Sequence, residues 1–230
     1  MARFARVVAI GTAHHVTQRG VDQQRTFFTD ADRNTYLDCL AKYCAQARAR
    51  ILAYCLMSNH VHLVLIPEER QSLAVALRRT HSRYALYLNA RRDRVGHLWQ
   101  NRFYSSALDE EHLWIALRYV ERNPVRANLV KRPEEYKWSS AAAHLGTDHS
   151  ASGLLDWAFH AAAGGTERWQ TLLAEPEQIE AIRRLQRGTF TGRPVGSPEF
   201  VAKLEKQLGR PLATQKGAGI ARRSKSAGAR

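Results

Sequence analysis

Asn59-His60-Val61-His62 opens an apolar run that continues to Ile66. In a strand, side chains alternate, so His60 and His62 face one way while Val61, Leu63 and Leu65 face the other. Two neutral imidazoles held side by side suit a divalent cation. The same short pattern also arises by chance, as two solvated or hydrogen-bonded histidines on an open sheet face. Further along, Tyr119 and Asn123 lie four residues apart in Tyr119-Val120-Glu121-Arg122-Asn123. On a helix that spacing puts both on one face. A phenol beside a cation-bound phosphate can attack phosphorus, and an amide oxygen can supply a third ligand. Each residue also has a plainer role open to it, Tyr119 as an aromatic packing helix on sheet and Asn123 as a cap before Pro124.

The elements that must position these residues follow from periodicity. Residues 12–18, bounded by Gly11 and Gly20, read as a strand. Thr29 or Asp30 caps a helix running to about residue 50, with Tyr36, Leu37, Leu40 and Tyr43 at helical spacing. Residues 51–57 and 60–66 read as strands joined by Ser58 and Asn59 in a hairpin. A second helix spans about 72–92 and a fourth strand 103–108. Asp109 caps a third helix that ends near Asn123, because Pro124 follows. The order β-α-β-β-α-β-α predicts an α+β fold: a ferredoxin-like split β-α-β with a four-stranded antiparallel sheet and helices on one face. Beyond it, residues 154–163, 168–174 and 177–186 read as helices, with Gly164 and Gly188 as stops, and Ser197-Pro198 begins a last amphipathic helix. The chain divides into a first segment 1–148, a helical extension 149–209 and a basic tail 210–230.

Three segments carry a resemblance: residues 54–63, containing Ser58-Asn59-His60-Val61-His62; Gly96-His97-Leu98-Trp99-Gln100-Asn101-Arg102-Phe103; and Tyr119 through Ala127. Together they resemble the single-tyrosine HUH transposases, and within that superfamily the REP-associated tyrosine transposases, over roughly residues 8–145. The resemblance implies that His60 and His62 hold a Mg²⁺ or Mn²⁺ ion, with Asn123 as a polar third ligand. It also implies that Tyr119 cleaves single-stranded DNA, leaving a 5′-phosphotyrosine and a free 3′-hydroxyl. The substrates implied are single-stranded or hairpin DNA of short palindromic repeats. The rival is a domesticated, non-catalytic DNA-binding regulator on the same fold. No general base is evident; a cation-lowered phenol, His15, Glu121 or a water are the options. One of His14 and His15 must face the side of His60, but both are read as packed or solvated strand histidines.

Charge supports a polyanion partner. The 230 residues hold 35 Lys and Arg against 21 Asp and Glu, a formal +14, and 44% hydrophobic residues exclude disorder throughout. Residues 1–148 carry 22 bases and 14 acids, and the last 21 residues six bases and no acid, a tail read as disordered when alone. Between positions 78 and 102 lie Arg78, Arg79, Arg83, Arg91, Arg92, Arg94 and Arg102 against Asp93, interleaved with Tyr84, Tyr87, Trp99, Phe103 and Tyr104. Guanidinium forks on phosphates and aromatic faces on bases make Arg78, Arg79, Arg83, Arg91, Arg92 and Arg102 the expected DNA contacts, with Tyr84 and Trp99 turned inward. The longest apolar run, residues 51–57, is far short of a membrane span, so a cytoplasmic protein is expected, with no membrane and no small-molecule cofactor. A monomer and a homodimer are both compatible with the pattern. Three cysteines, without CxxC spacing, are read as small packed hydrophobes.

Overall fold

The computed structural model describes residues 6–148 and 153–212. Its first part runs β1 (His14–Arg19), α1 (Asp30–Gln46), β2 (Ala49–Leu56), β3 (His60–Pro67), α2 (Ser72–Arg91), β4 (Tyr104–Ala107) and α3 (Glu110–Glu121). The short helices α4 (Asn123–Arg126), α5 (Ala141–His144) and α6 (Trp157–Ala162) follow, then α7 (Gly165–Ala174), α8 (Ile179–Thr191) and α9 (Pro198–Leu208). The strands pair antiparallel in the order β2-β3-β1-β4. This is the α+β, split β-α-β arrangement expected from the sequence. No helix among the described residues is long and apolar enough to cross a membrane. The basic tail beyond residue 212, and residues 149–152 where the extension begins, lie outside the described residues.

Local chemistry sets the element ends. Thr29 and Asp32 form a capping box, Asp32 N donating to Thr29 Oγ1 at 3.2 Å and Thr29 N to Asp32 Oδ2 at 2.8 Å. Asp109 caps α3 by accepting from His112 N at 2.9 Å, and Ser197 caps α9. Met57 N donates to His60 O at 2.9 Å and closes the Ser58-Asn59 link.

One expectation is overturned: helices cover both faces of the sheet. Val16, Val61, Leu63 and Leu65 pack on Tyr36 and Leu40 of α1 and Leu73, Leu77 and Tyr84 of α2. The opposite face, Ala53, Cys55, Val64 and Ile66, packs on Ala116, Leu117 and Val120 of α3, Trp169 and Leu172 of α7, and Ile182 and Leu185 of α8. The reason lies in β3, where Val64 and Ile66 share the face of His62 and leave it too apolar for water. Each fully buried aliphatic chain there contributes about 2 kcal/mol. Residues 153–209 therefore share a core with the first segment.

Gly188 is not a helix stop either. It lies inside α8, where a Cβ would come within 2.1 Å of Val195 Cγ2, and the helix ends at Gly192, whose φ of 73° is the left-handed cap glycine favours. The helix expected from residue 154 starts only at Trp157, after the cap Asp156. Residues 193–196 run beside β4, with Val195 N donating to Ala107 O at 2.8 Å. Leu204 of α9 packs on Val7, Ala9 and Ala107, so α9 covers the first segment. All three cysteines are free; Cys44 and Cys55 are buried and Cys39 is half-buried.

Candidate active site

Register places the chemistry. On β3, His60 pairs with Arg19 and His62 with Thr17 of β1, while Tyr104 of β4 pairs with Thr17, so these side chains share one sheet face with His15. Helix α3 crosses that face and brings Tyr119 to it. Asn123 follows one turn later at the start of α4. His15, Thr17, Arg19, His60, His62, Tyr104, Tyr119 and Asn123 line one cleft of about 250 Å³, closed on its far side by Gln186, Thr189 and Phe190 of α8. The His62 and Tyr119 rings meet edge to face at 5.3 Å, and His60 and His62 at 4.9 Å.

The hydrogen bonds fix which imidazole nitrogens are free. Asn59 Nδ2 donates to Gln23 O at 3.1 Å, so its Oδ1 faces His60 and accepts from Nδ1–H at 2.6 Å. His60 Nε2 is left as a bare lone pair. His62 Nδ1 is 3.1 Å from His15 Nε2, and His15 Nδ1 is 2.8 Å from Thr189 Oγ1. Among the described residues no carboxylate is bonded to any of the three rings. Burial pushes His15 down to about 3, and burial followed by the nearby Arg19 pushes His60 down to about 4. His62 is held well below its ordinary value, first by burial and then by His60, His15, Arg126 and Arg19. All three rings are therefore neutral at pH 7, the form in which imidazole binds metals.

These residues fit a divalent ion. Two imidazoles with Nδ1 engaged, and an Asn123 side-chain amide with no hydrogen bond among the described residues, offer three donors. An ion held there would still face the open cleft, where phosphate oxygens and water can reach it. Among the described residues no group of three or more His, Cys, Asp and Glu side chains could hold a metal.

Around Tyr119, Gln186 Nε2 donates to the phenol oxygen at 3.1 Å, and the Arg126 guanidinium lies 4.2 Å from the ring centroid. Two residues considered as general bases are engaged elsewhere. Glu121 is fully buried and accepts from Ser140 Oγ at 2.5 Å and from His144 Nδ1 at 2.6 Å, on the far side of α3. Both ring nitrogens of His15 are already in hydrogen bonds. His15 is not an idle strand histidine either, because it connects His62 to α8. His14, fully buried, bonds Thr12 O and Ala9 N.

The arginines expected to meet DNA are not in this cleft. Arg78, Arg79, Arg83 and Arg91 lie on α2, with Arg92 capping its end, against the other face of the sheet. Arg78 and Arg102 line a separate cavity of about 410 Å³ with Arg6, His97, Trp99 and Phe103. Arg79 donates to Gln46 at 3.3 Å, Arg91 lies 3.8 Å from Asp32, and Arg92 stacks on Phe28 at 3.7 Å. Tyr84 and Trp99 do turn inward, donating to Thr26 O at 2.6 Å and His81 O at 3.1 Å. Arg19, Arg126, Gln186, Thr189 and Phe190 were not foreseen. Strand alternation alone would have put Arg19 beside His60, but nothing local in the sequence of α8 says which of its faces meets the sheet.

Residues 12–123 match the family described as IS200-like transposases. The similarity is confined to that stretch, just under half of the 230 residues. The matched segment holds β1 to β4, the two histidines of β3, Tyr119 and Asn123, and ends before α8. A solved structure of a REP-associated tyrosine transposase bound to a REP hairpin shares the fold, with a TM-score of 0.56 and 18% identity over 68% of this chain and 89% of that one. A search of curated proteins finds no match.

Proposed function

We propose that this protein cleaves and transfers strands of single-stranded or hairpin DNA, with Tyr119 as nucleophile. The observation that carries the reading is the convergence of a phenol with two imidazoles, each with Nε2 unspent, in one open cleft. The Tyr119 oxygen attacks phosphorus, the phenolic proton leaves to water, the P–O3′ bond breaks, and the 3′-oxygen takes up a proton. The chain is then joined to the 5′ end as a phosphotyrosine. Attack by another 3′-hydroxyl reverses the step and needs no external energy source. Gln186 Nε2–H, already aimed at the phenol oxygen, and Arg126 over its ring favour the charge that develops there. His60, His62 and Asn123 would hold Mg²⁺ or Mn²⁺, which when bound draws charge from the phosphate.

The family match and the hairpin-bound neighbour support DNA of the REP-hairpin type as substrate, and the +14 charge supports a polyanion. Arg19 and the ledge formed by Tyr104 and Phe190, rings 5.3 Å apart, suit an unpaired strand in the cleft. The arginines of α2 suit duplex phosphates on the other side of the sheet, so the substrate passes around a sheet edge. The test is covalent capture. A labelled hairpin with a single-stranded foot is incubated with protein and Mn²⁺ and then denatured. Retained label that Tyr119→Phe abolishes is expected, with strand cleavage falling on the order of 10⁴-fold or more. Binding without adduct would instead make the protein a DNA-binding regulator.

A further inference from the structure

Gln186, Thr189 and Phe190 lie at i, i+3 and i+4 of α8 and put one stripe of that helix into the cleft, outside the segment that matches the family. The middle residue has a constrained hydrogen bond. Thr189 Oγ1 is 2.9 Å from Leu185 O, which can only accept, so its single proton is committed there. Toward His15, at 2.8 Å, Thr189 can only accept. His15 Nδ1 therefore carries the proton, and its Nε2, in a ring wholly buried with no carboxylate against it, accepts from His62 Nδ1–H. The lone pair of His62 Nε2 is what remains. We propose that Thr189 is a positioning residue which, through His15, holds the metal ligand His62 in its Nδ1–H tautomer, so that the C-terminal extension sets the chemistry of the β3 site.

This rests on the metal site of the proposed function and adds a dependence that the family segment does not contain. With the hydroxyl removed, His15 is free to carry its proton on Nε2. It then donates to His62 Nδ1, moves the His62 proton to Nε2, and blocks the coordinating lone pair. Partners of ligating histidines act in this way and typically change metal affinity by about 10- to 100-fold.

The experiment uses the full chain, with Mn²⁺ as the probe. Titration followed by the paramagnetic resonance of free Mn²⁺ compares wild type, Thr189→Val, Thr189→Ser and His62→Ala. Long-range ¹H–¹⁵N spectra of the metal-free proteins report which His62 nitrogen bears the proton. Expected are an affinity about 10- to 100-fold weaker in Thr189→Val, wild-type affinity in Thr189→Ser, and an Nε2–H signal for His62 in Thr189→Val alone. Wild-type affinity and an unchanged tautomer in Thr189→Val overturn the proposal. If His62→Ala binds Mn²⁺ as well as wild type, the metal-site reading fails instead, and the metal-free spectra still decide the relay. Should Thr189→Val unseat α8, Thr189→Ala removes the same acceptor without branching, and the same readouts apply.

Discussion

His15 and His62 stack with centroids 5.3 Å and planes 8° apart; His144 and His160 stack almost identically, at 5.1 Å and 9°. Both pairs lie in the layer of the molecule that includes α3, yet their surroundings separate them. His144 faces the carboxylate of Glu121, and Trp169 packs against both its ring and that of His160 at 4.5 and 4.7 Å. Every contact there ties helix to helix. The His15 pair meets no carboxylate, ends in a bare nitrogen, and opens on a cleft. Ring geometry alone does not distinguish a structural pair from a reactive one. The partner at the far end of the hydrogen-bond chain does.

That contrast can be broken experimentally. The largest effect is expected in His62→Ala, which removes one side chain of the proposed metal site and should lower strand cleavage by roughly 10³-fold, the several kcal/mol that a bound cation supplies to a phosphate. Unfolding free energy should fall by no more than about 1.5 kcal/mol. His144→Ala should do the reverse. It leaves buried Glu121 with Ser140 in place of two donors and should cost about 1–3 kcal/mol in urea unfolding, with Mn²⁺ affinity of the folded protein unchanged. Loss of metal binding in His144→Ala, or a collapse of stability in His62→Ala, would erase the distinction.

Acid should weaken the fold through buried histidines outside the cleft lining as well as those within it. Burial pushes His81 down to about 3 and His14 down to about 4, from the usual 6.5. Below pH 6.5 the unfolded chain binds protons that the folded chain refuses. Stability is therefore unaffected by these groups above pH 6.5 and falls as the pH drops from 6.5 toward 4, by up to about 1.4 kcal/mol per pH unit for each group. Urea unfolding at pH 7 and pH 5 measures this, and a flat profile would reject it. The smallest effect belongs to Phe190→Ala. Phe190 is 70% exposed, so stability should change by less than about 0.5 kcal/mol while single-strand affinity falls by about 1–3 kcal/mol.

Much of this was legible in the chain. Alternation in β3 and the spacing of Tyr119 and Asn123 depend on two short-range periods, and both residue pairs line the same cleft. The second helical layer was missed although β3 carried its signal, since a strand apolar on both sides from Val61 to Ile66 needs cover twice. The role of α8 was not legible. Thr189 and His15 are 174 positions apart, and their meeting depends on how α8 seats on β4. Gly188 was read as punctuation because a lone glycine in a helical pattern resembles a stop; only the approach of Val195 shows why it sits mid-helix. The arginines were grouped by their nearness in sequence, which does not record that α2 and α3 lie on opposite sides of the sheet.

Asp109 has a consequence for anyone trimming this molecule into a compact DNA-nicking tool. Its carboxylate caps the helix that carries Tyr119 and also accepts from Ser197 N at 2.8 Å, so one side chain staples the start of α3 to the loop that leads into α9. A cut at the end of the family match would release that staple and strip away the outer wall of the cleft. The fragment would keep the reactive residues and lose the scaffold that aligns them.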